Sequence, residues 1–252
     1  GGYIMGAILE INSLRKTFKE KTVVNGLSFK VNEGEILGFL GPNGAGKSTT
    51  ISMITTILDF DEGKVLFEGR EVNSDDNDFK KILGYVPQDI ALFNDLTAYE
   101  NVKFFGSLYG LKGSYLNNRV KETLELVGLY DRKNDYPDSF SGGMKRRLNI
   151  ACSIVHKPKI LIMDEPTVGI DPQSRNNILE VAKSLRDEGT TIIYTSHYME
   201  EVEAICNRLI ILDNGQIVES GYKDEIKTKY RIKGLNNLEE IFLYITGKEL
   251  RD

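Results

Sequence analysis

The sequence of 252 residues predicts an α/β fold: a parallel-sheet core carrying an antiparallel β subdomain and an α-helical subdomain. Three observations carry that expectation. Short runs of Ile, Leu and Val alternate with helix-period segments, as strands covered on both faces require. A glycine-rich string lies where one such run gives way to a helical stretch. A middle region, from Thr97 to about His156, has a helical pattern.

Taken in chain order, Ile8–Ile11, Val23–Val31 and Glu35–Leu40 are β-rich, the last ending at the glycine-rich turn. Lys47–Leu58 contains no breaker and is expected to be one helix, with Lys64–Phe67 and Ile82–Val86 as further strands. These early strands are expected to form a mixed, partly antiparallel sheet beside the parallel one. Thr97 and Glu100 have capping-box spacing, in which each side chain satisfies an exposed amide. Val120, Leu124 and Val127 form an apolar helix stripe, and Gly128 stands where that helix would stop. Ile160–Met163 and Thr191–Tyr194 are buried strands, and Ile178, Val181, Ala182 and Leu185 mark the inner face of a helix between them. Leu209–Leu212 begins a hairpin through Asn214-Gly215. One domain over 7–252 is expected, with 7–96 and 157–225 as core and β subdomain, 97–156 as the α-helical subdomain, and 226–252 as a helical tail. Residues 1–6 read as an appended remnant ahead of a start near Met5, since they lack the basic and apolar regions of a signal peptide.

A formal charge of −5 opposes general nucleic-acid binding, which needs a concentrated basic surface. Cys152 and Cys206 match neither a disulfide framework nor a metal spacing, and are expected as small core residues of a cytosolic protein. No apolar stretch approaches the ~20 residues of a spanning helix. A membrane role is therefore expected only through a partner.

The string Gly41-Pro42-Asn43-Gly44-Ala45-Gly46-Lys47-Ser48-Thr49 fits G-x-x-x-x-G-K-[ST] between a predicted strand and helix. Its glycines let successive amides turn inward toward phosphate oxygens, Lys47 adds a charge near the β and γ phosphates, and Ser48 can coordinate Mg²⁺. The strand Ile160–Met163 delivers Asp164 and Glu165 to its C-terminal end, where α/β sheets bind ligands. Asp164 is placed to hold Mg²⁺ and Glu165 to polarise an attacking water. Ser141 can cap a helix whose Gly142 and Gly143 amides stay open to a second anion. Lys145, Arg146 and Arg147, one turn on, are expected as a solvated helix face.

With these motifs the chain resembles the nucleotide-binding subunit of ATP-binding cassette (ABC) transporters from about Ile8 onward, which implies a P-loop NTPase of ABC type. In that family the segment resembling Phe140–Met144 binds the γ-phosphate of ATP held by the phosphate loop of a second subunit. The resemblance implies a head-to-tail dimer around two Mg-ATP. It also places Gln88 in the Q-loop, touching Mg²⁺ and facing the membrane partner. Asp171 falls in the D-loop at the dimer interface, His197 is the switch histidine that steadies γ-phosphate and water, and Phe18 is the ring stacked on adenine. Two departures stand out: Phe140 and Met144 replace the usual leucine and glutamine, and Phe18 replaces the usual tyrosine, whose stacking face it keeps.

The Ser-Gly-Gly-Met-Lys-Arg-Arg-Leu string, with Leu238–Phe242 and Ile245–Lys248, resembles the ATPase chains of prokaryotic drug, polysaccharide or sodium exporters. Those act with a second ATPase subunit, identical or paralogous, and with separate transmembrane permease subunits. The implied location is cytoplasmic, peripheral on the membrane through the partner. A soluble cassette ATPase acting on DNA or ribosomes is the alternative. About fifty residues separate Gln88 from the signature, without the coiled-coil or zinc insertions of DNA-repair relatives or the second cassette of ribosome-acting ones.

Overall fold

The computed structural model describes residues 6–247. Its first half runs β1 (Ala7–Phe18), β2 (Lys21–Asn32), β3 (Ile36–Leu40), α1 (Lys47–Ile54), β4 (Glu62–Phe67), β5 (Arg70–Val72), α2 (Asn77–Ile82) and β6 (Leu83–Val86). Then follow α3 (Ala98–Leu108), α4 (Gly113–Leu126), α5 (Gly142–Ile154), β7 (Ile160–Met163) and α6 (Pro172–Asp187). The chain closes with β8 (Thr191–Tyr194), α7 (Met199–Ile205), β9 (Arg208–Asp213), β10 (Gln216–Tyr222), α8 (Lys223–Arg231) and α9 (Leu238–Thr246). The remnant expected over residues 1–6 falls, except for Gly6, outside the described residues, as does Lys248. Contacts gather the chain into two units, one running to Lys80 and resuming at Thr191, the other spanning Lys81–Thr190.

In the first unit, β2-β1-β4-β5 form an antiparallel sheet. β1 extends well beyond the expected Ile8–Ile11. Its ladder with β2 breaks between Ile11 and Leu14, where Ser13 turns to φ 51, and then resumes to Phe18. The Ser13 amide donates to Ser28 Oγ at 2.8 Å across that break. The charged Arg15 and Lys16 beyond it hid the continuation from a hydrophobicity pattern. β3 is buried at every position and lies between β8 and β9, parallel to both. β9 and β10 form the expected hairpin, with Asn214 at φ 48 and Gly215 at φ 76, both positive as a type I′ turn requires.

The helix expected over Lys47–Leu58 ends at Ile54. The Thr55 hydroxyl donates back to Ile51 O at 2.9 Å, and Thr56 adopts the left-handed φ 60. The same hydroxyl bond from Thr50 to Gly46 O leaves α1 intact, so the break lies at the left-handed Thr56.

In the Lys81–Thr190 unit, β6 and β7 pair in parallel from Leu83↔Ile160 to Val86↔Met163. Ile82, expected in the strand, is instead the last residue of α2. α3 carries the full capping box of Thr97 and Glu100. Val120 and Leu124 are fully buried on α4, Val127 is nearly so, and Gly128 follows at φ 66. The stretch between α4 and α5 is not helical throughout as expected, holding only the short 3-10 turns Tyr130–Arg132 and Pro137–Ser139. On α6, Ile178, Val181, Ala182 and Leu185 are buried as the periodicity implied. Cys152 and Cys206 are free and buried, each in its own unit. Among the described residues, no helix is long and apolar enough to cross a membrane.

Just past α5, the His156 ring stacks on Tyr109 with centroids 3.5 Å apart, and its Nε2 lies 3.1 Å from Leu83 O. Burial holds this imidazole neutral, lowering its pKa to about 4. The unfolded chain binds that proton near pH 6.5 and the fold does not. Stability is therefore whole above pH 6.5 and falls as pH drops toward 4, by at most about 1.4 kcal/mol per pH unit for this group. Urea unfolding of the parent and of His156→Phe at pH 7.5 and pH 5 should show the variant losing less stability on acidification.

Candidate active site

The phosphate loop begins where β3 ends and closes at the first turn of α1. Gly46 stands at φ 99 as the residue before α1, and a Cβ there would lie 2.8 Å from Val23 O. Only glycine meets both conditions. The loop is braced from outside: the Gly215 amide donates to Ala45 O at 3.0 Å, and the Asn25 amide to Gly215 O at 2.9 Å. Thus β2, the hairpin tip and the loop form one hydrogen-bonded stack. Lys47 is buried, its ammonium donating to Gly41 O at 2.5 Å and Pro42 O at 3.2 Å, while Asn43, Gly44 and Ser48 are exposed. Pro42 and Ala45 are buried and Thr49 is half-buried. The cationic head is thereby folded toward the loop's own carbonyls.

In the second unit, β7 is buried throughout and delivers Asp164 and Glu165, each 7% exposed. The Asp164 amide donates to Val86 O at 2.9 Å. The Tyr85 hydroxyl hydrogen-bonds the Asp164 carboxylate. Burial first, and that negative charge second, push the phenol up to about 12. Tyr85 therefore stays protonated and orients Asp164. Glu165 adopts φ 48, a left-handed backbone that costs a non-glycine residue about 1–2 kcal/mol.

The start of α5 lies against the start of α6. Ser141 caps α5, accepting from the Met144 amide at 3.3 Å. Asp171 caps α6, accepting from the Ser174 amide at 2.9 Å. That amide, then the Ser174 hydroxyl, hold the Asp171 carboxyl below its usual range. A Cβ on Gly143 would lie 2.1 Å from Ser174 Oγ and 3.2 Å from Asp171 Oδ2, whereas a Cβ on Gly142 would meet nothing within 4 Å. Gly143 is therefore fixed by close approach, and Gly142 is open. The structure thus brings Gly143 and Asp171 together. Ser174, the residue between them, had no signal in the sequence beyond its i+3 spacing from Asp171.

The charged run after the signature is not the solvated face expected of it. Arg146 is only 4% exposed, donating to Pro87 O at 2.8 Å and to Gln88 O. Arg147 is half-buried and donates to Val127 O at 2.7 Å. Asn149, also on α5, accepts the Ala91 amide at 3.2 Å. The reason is geometric: an i, i+3 pair on a helix faces one neighbour, here the segment after β6, whose carbonyls and amides need partners. Gln88 itself is exposed within that gripped turn. Phe140, the unusual first residue of the signature, is buried with the Arg132 guanidinium 5.7 Å from its ring centre.

His197 and Phe18 lie in the first unit with the phosphate loop. His197 is half-buried in the link between β8 and α7. Phe18 ends β1 at 45% exposure, with the Lys16 ammonium 5.7 Å from its ring centre.

The Gly142/Gly143 contrast gives a direct check. Gly143→Ala should destabilise the protein by about 1–3 kcal/mol through overpacking against Ser174, and Gly142→Ala should leave stability unchanged or slightly raised. Urea unfolding of the two variants side by side measures this.

Residues 24–168 match the family model described as ABC transporter. The linearmycin resistance ATP-binding protein LnrL of Bacillus subtilis (strain 168) is 50% identical over 219 residues, 87% of this chain and 70% of that one. The Nod factor export ATP-binding protein I of Ralstonia nicotianae is 41% identical over 222 residues, 88% of this chain and 69% of that one. Among solved structures, an ATP-binding subunit of an ABC transporter superposes with TM-score 0.85 at 28% identity, covering 94% of this chain and 99% of that one. A dimeric ATP-binding cassette in a post-hydrolysis state, bound to ADP and Pi, superposes with TM-score 0.77 at 26% identity, covering 85% and 98%. The family model covers more than half of the sequence, the fold class agrees, and the chain belongs to the ABC transporter family as an ATP-binding, ATP-hydrolysing subunit.

Proposed function

We propose that this subunit is the motor of an exporter. Two such subunits, identical or paralogous, close head to tail around two Mg-ATP and drive separate transmembrane subunits, which hold the motor on the cytoplasmic face of the membrane. The observation that carries this reading is the second anion-binding helix start. Ser141 caps α5 and leaves the first amides of that helix to an anion, in a chain that already has a phosphate loop. The export assignment is supported by the Nod factor export and linearmycin resistance relatives. The dimer is supported by the dimeric ADP- and Pi-bound neighbour.

In this reading the Gly41–Thr49 amides and Lys47 hold the ATP phosphates, and Phe18 stacks on adenine. Ser141, Gly142 and Gly143 hold the γ-phosphate bound by the partner subunit, and Asp171 meets the partner nearby. Ser48, Gln88 and Asp164 would hold Mg²⁺. Their oxygen donors suit that ion, which commonly takes one or two carboxylates together with substrate phosphates. When bound, the ion neutralises charge on the β and γ oxygens. Glu165 orients the water, and His197 steadies it and the γ-phosphate. The helical segment 97–156 is the arm that carries closure to the transmembrane subunits, with the gripped Gln88 turn as its contact.

ATP then acts as a ligand that prefers the closed pair, and hydrolysis reopens it. Glu165→Gln should abolish turnover and accumulate an ATP-dependent dimer on size-exclusion chromatography with light scattering. A variant that stays monomeric in saturating ATP and Mg²⁺ would contradict the shared-nucleotide reading. Lys47→Ala should weaken ATP binding at least about tenfold by titration calorimetry, from the lost charge-assisted contact.

A further inference from the structure

Glu201, in the first turn of α7, carries a carboxylate that is almost wholly buried, the residue being 1% exposed. Its Oε2 accepts two hydroxyl hydrogen bonds, from Tyr194 at 2.8 Å and from Ser196 at 2.7 Å. Ser196 Oγ in turn accepts the Tyr198 amide at 2.9 Å, and the Glu201 amide donates to Tyr198 O at 3.1 Å. Tyr194, the last residue of β8, is fully buried, so packing along the whole ring fixes its phenol. Ser196 is 1% exposed. The residue enclosed by these bonds is His197: Ser196 on one side donates to the carboxylate, and Tyr198 on the other is held by Ser196 Oγ and by the Glu201 amide.

A carboxylate taken out of water is retained only where hydrogen bonds compensate its lost hydration. Here the hydroxyl bonds to Oε2 come from the last residue of β8 and from the residue just before His197. The geometry points to Glu201 as a positioning residue for His197: its buried carboxylate fixes the Ser196–Tyr198 backbone and so presents the imidazole at one place. This inference rests on the reading of His197 as the group that steadies γ-phosphate and water, and it deepens that reading. Glu201 acts through the loop, by orientation, where a small displacement of a reacting group is costly.

The chain contains two histidines, so a ¹³C-histidine-labelled sample gives two imidazole signals, and His197→Ala identifies which belongs to His197. His156 lies in the other unit and serves as the internal reference. Both hydroxyls donate to Oε2, so Glu201→Gln keeps the size of the side chain and one oxygen for them but removes the charge that strengthens both bonds. The expected result has two parts. The His197 signal shifts while the His156 signal stays, and kcat falls between about ten- and a hundredfold with KM for ATP unchanged. Either part without the other overturns the inference. Should both imidazole signals move, as in a misfolded protein, Ser196→Ala and Tyr194→Phe each remove one donor with little change in packing and are read by the same criterion. His197→Ala at full kcat would overturn the reading of His197 as well. A slow His197→Ala beside a fast Glu201→Gln would overturn the Glu201 role alone.

Discussion

The phosphate loop depends on one constraint: the backbone of β2 at Val23 must come within van der Waals reach of both the loop and the hairpin tip. Val23 O lies 2.8 Å from where Gly46 would carry a Cβ and 2.4 Å from the same point on Gly215. The two glycines and the two amide bonds through Ala45, Gly215 and Asn25 are the price of that closeness. In return the loop is held from behind by an antiparallel sheet and a hairpin, so its amides are preorganised, which is what anion recognition in a polar site requires.

In the Lys81–Thr190 unit, α5 has the corresponding place. Its first turn touches the Asp171 cap through Gly143 and Ser174, and its second turn grips the Pro87–Ala91 segment through Arg146 and Asn149. A short helix with partners at both turns cannot shift at one of them without shifting at the other. The segments proposed to face the partner ATPase and the membrane subunit are thus mechanically continuous inside this unit, with no loop between them to absorb motion.

Much of the fold was legible because buried parallel strands write themselves as unbroken apolar runs. Ile160–Met163 and Thr191–Tyr194 coincide with β7 and β8 for that reason, and the capping box at Thr97 and the Asn214-Gly215 turn are equally local signals. The extension of β1 past Ser13 was hidden, because a half-exposed strand with charged alternate residues looks like a loop. The early end of α1 was hidden too, since a threonine in the left-handed region leaves no mark in composition or periodicity. Among site residues, the phosphate loop and the Asp164-Glu165 pair were readable from chemistry in sequence order. Ser174, Arg146, Tyr85 and Glu201 were not: Arg146 and Tyr85 meet segments distant in sequence, and Ser174 and Glu201 are set apart by close approach and burial, which no spacing records. Arg146 was misread outright, as a basic triplet on a helix gives no hint that its middle member is buried.

Glu165 holds a backbone conformation that glycine would adopt at ease. The group proposed to aim the water therefore sits on a spring, and relaxing the chain there means giving up the carboxylate. Any search for hardier versions of this protein, by directed evolution under heat or by design on calculated strain, is drawn toward this position and rewarded for silencing the motor. At this torsion durability and turnover are opposed. Selection for robustness alone would select against work.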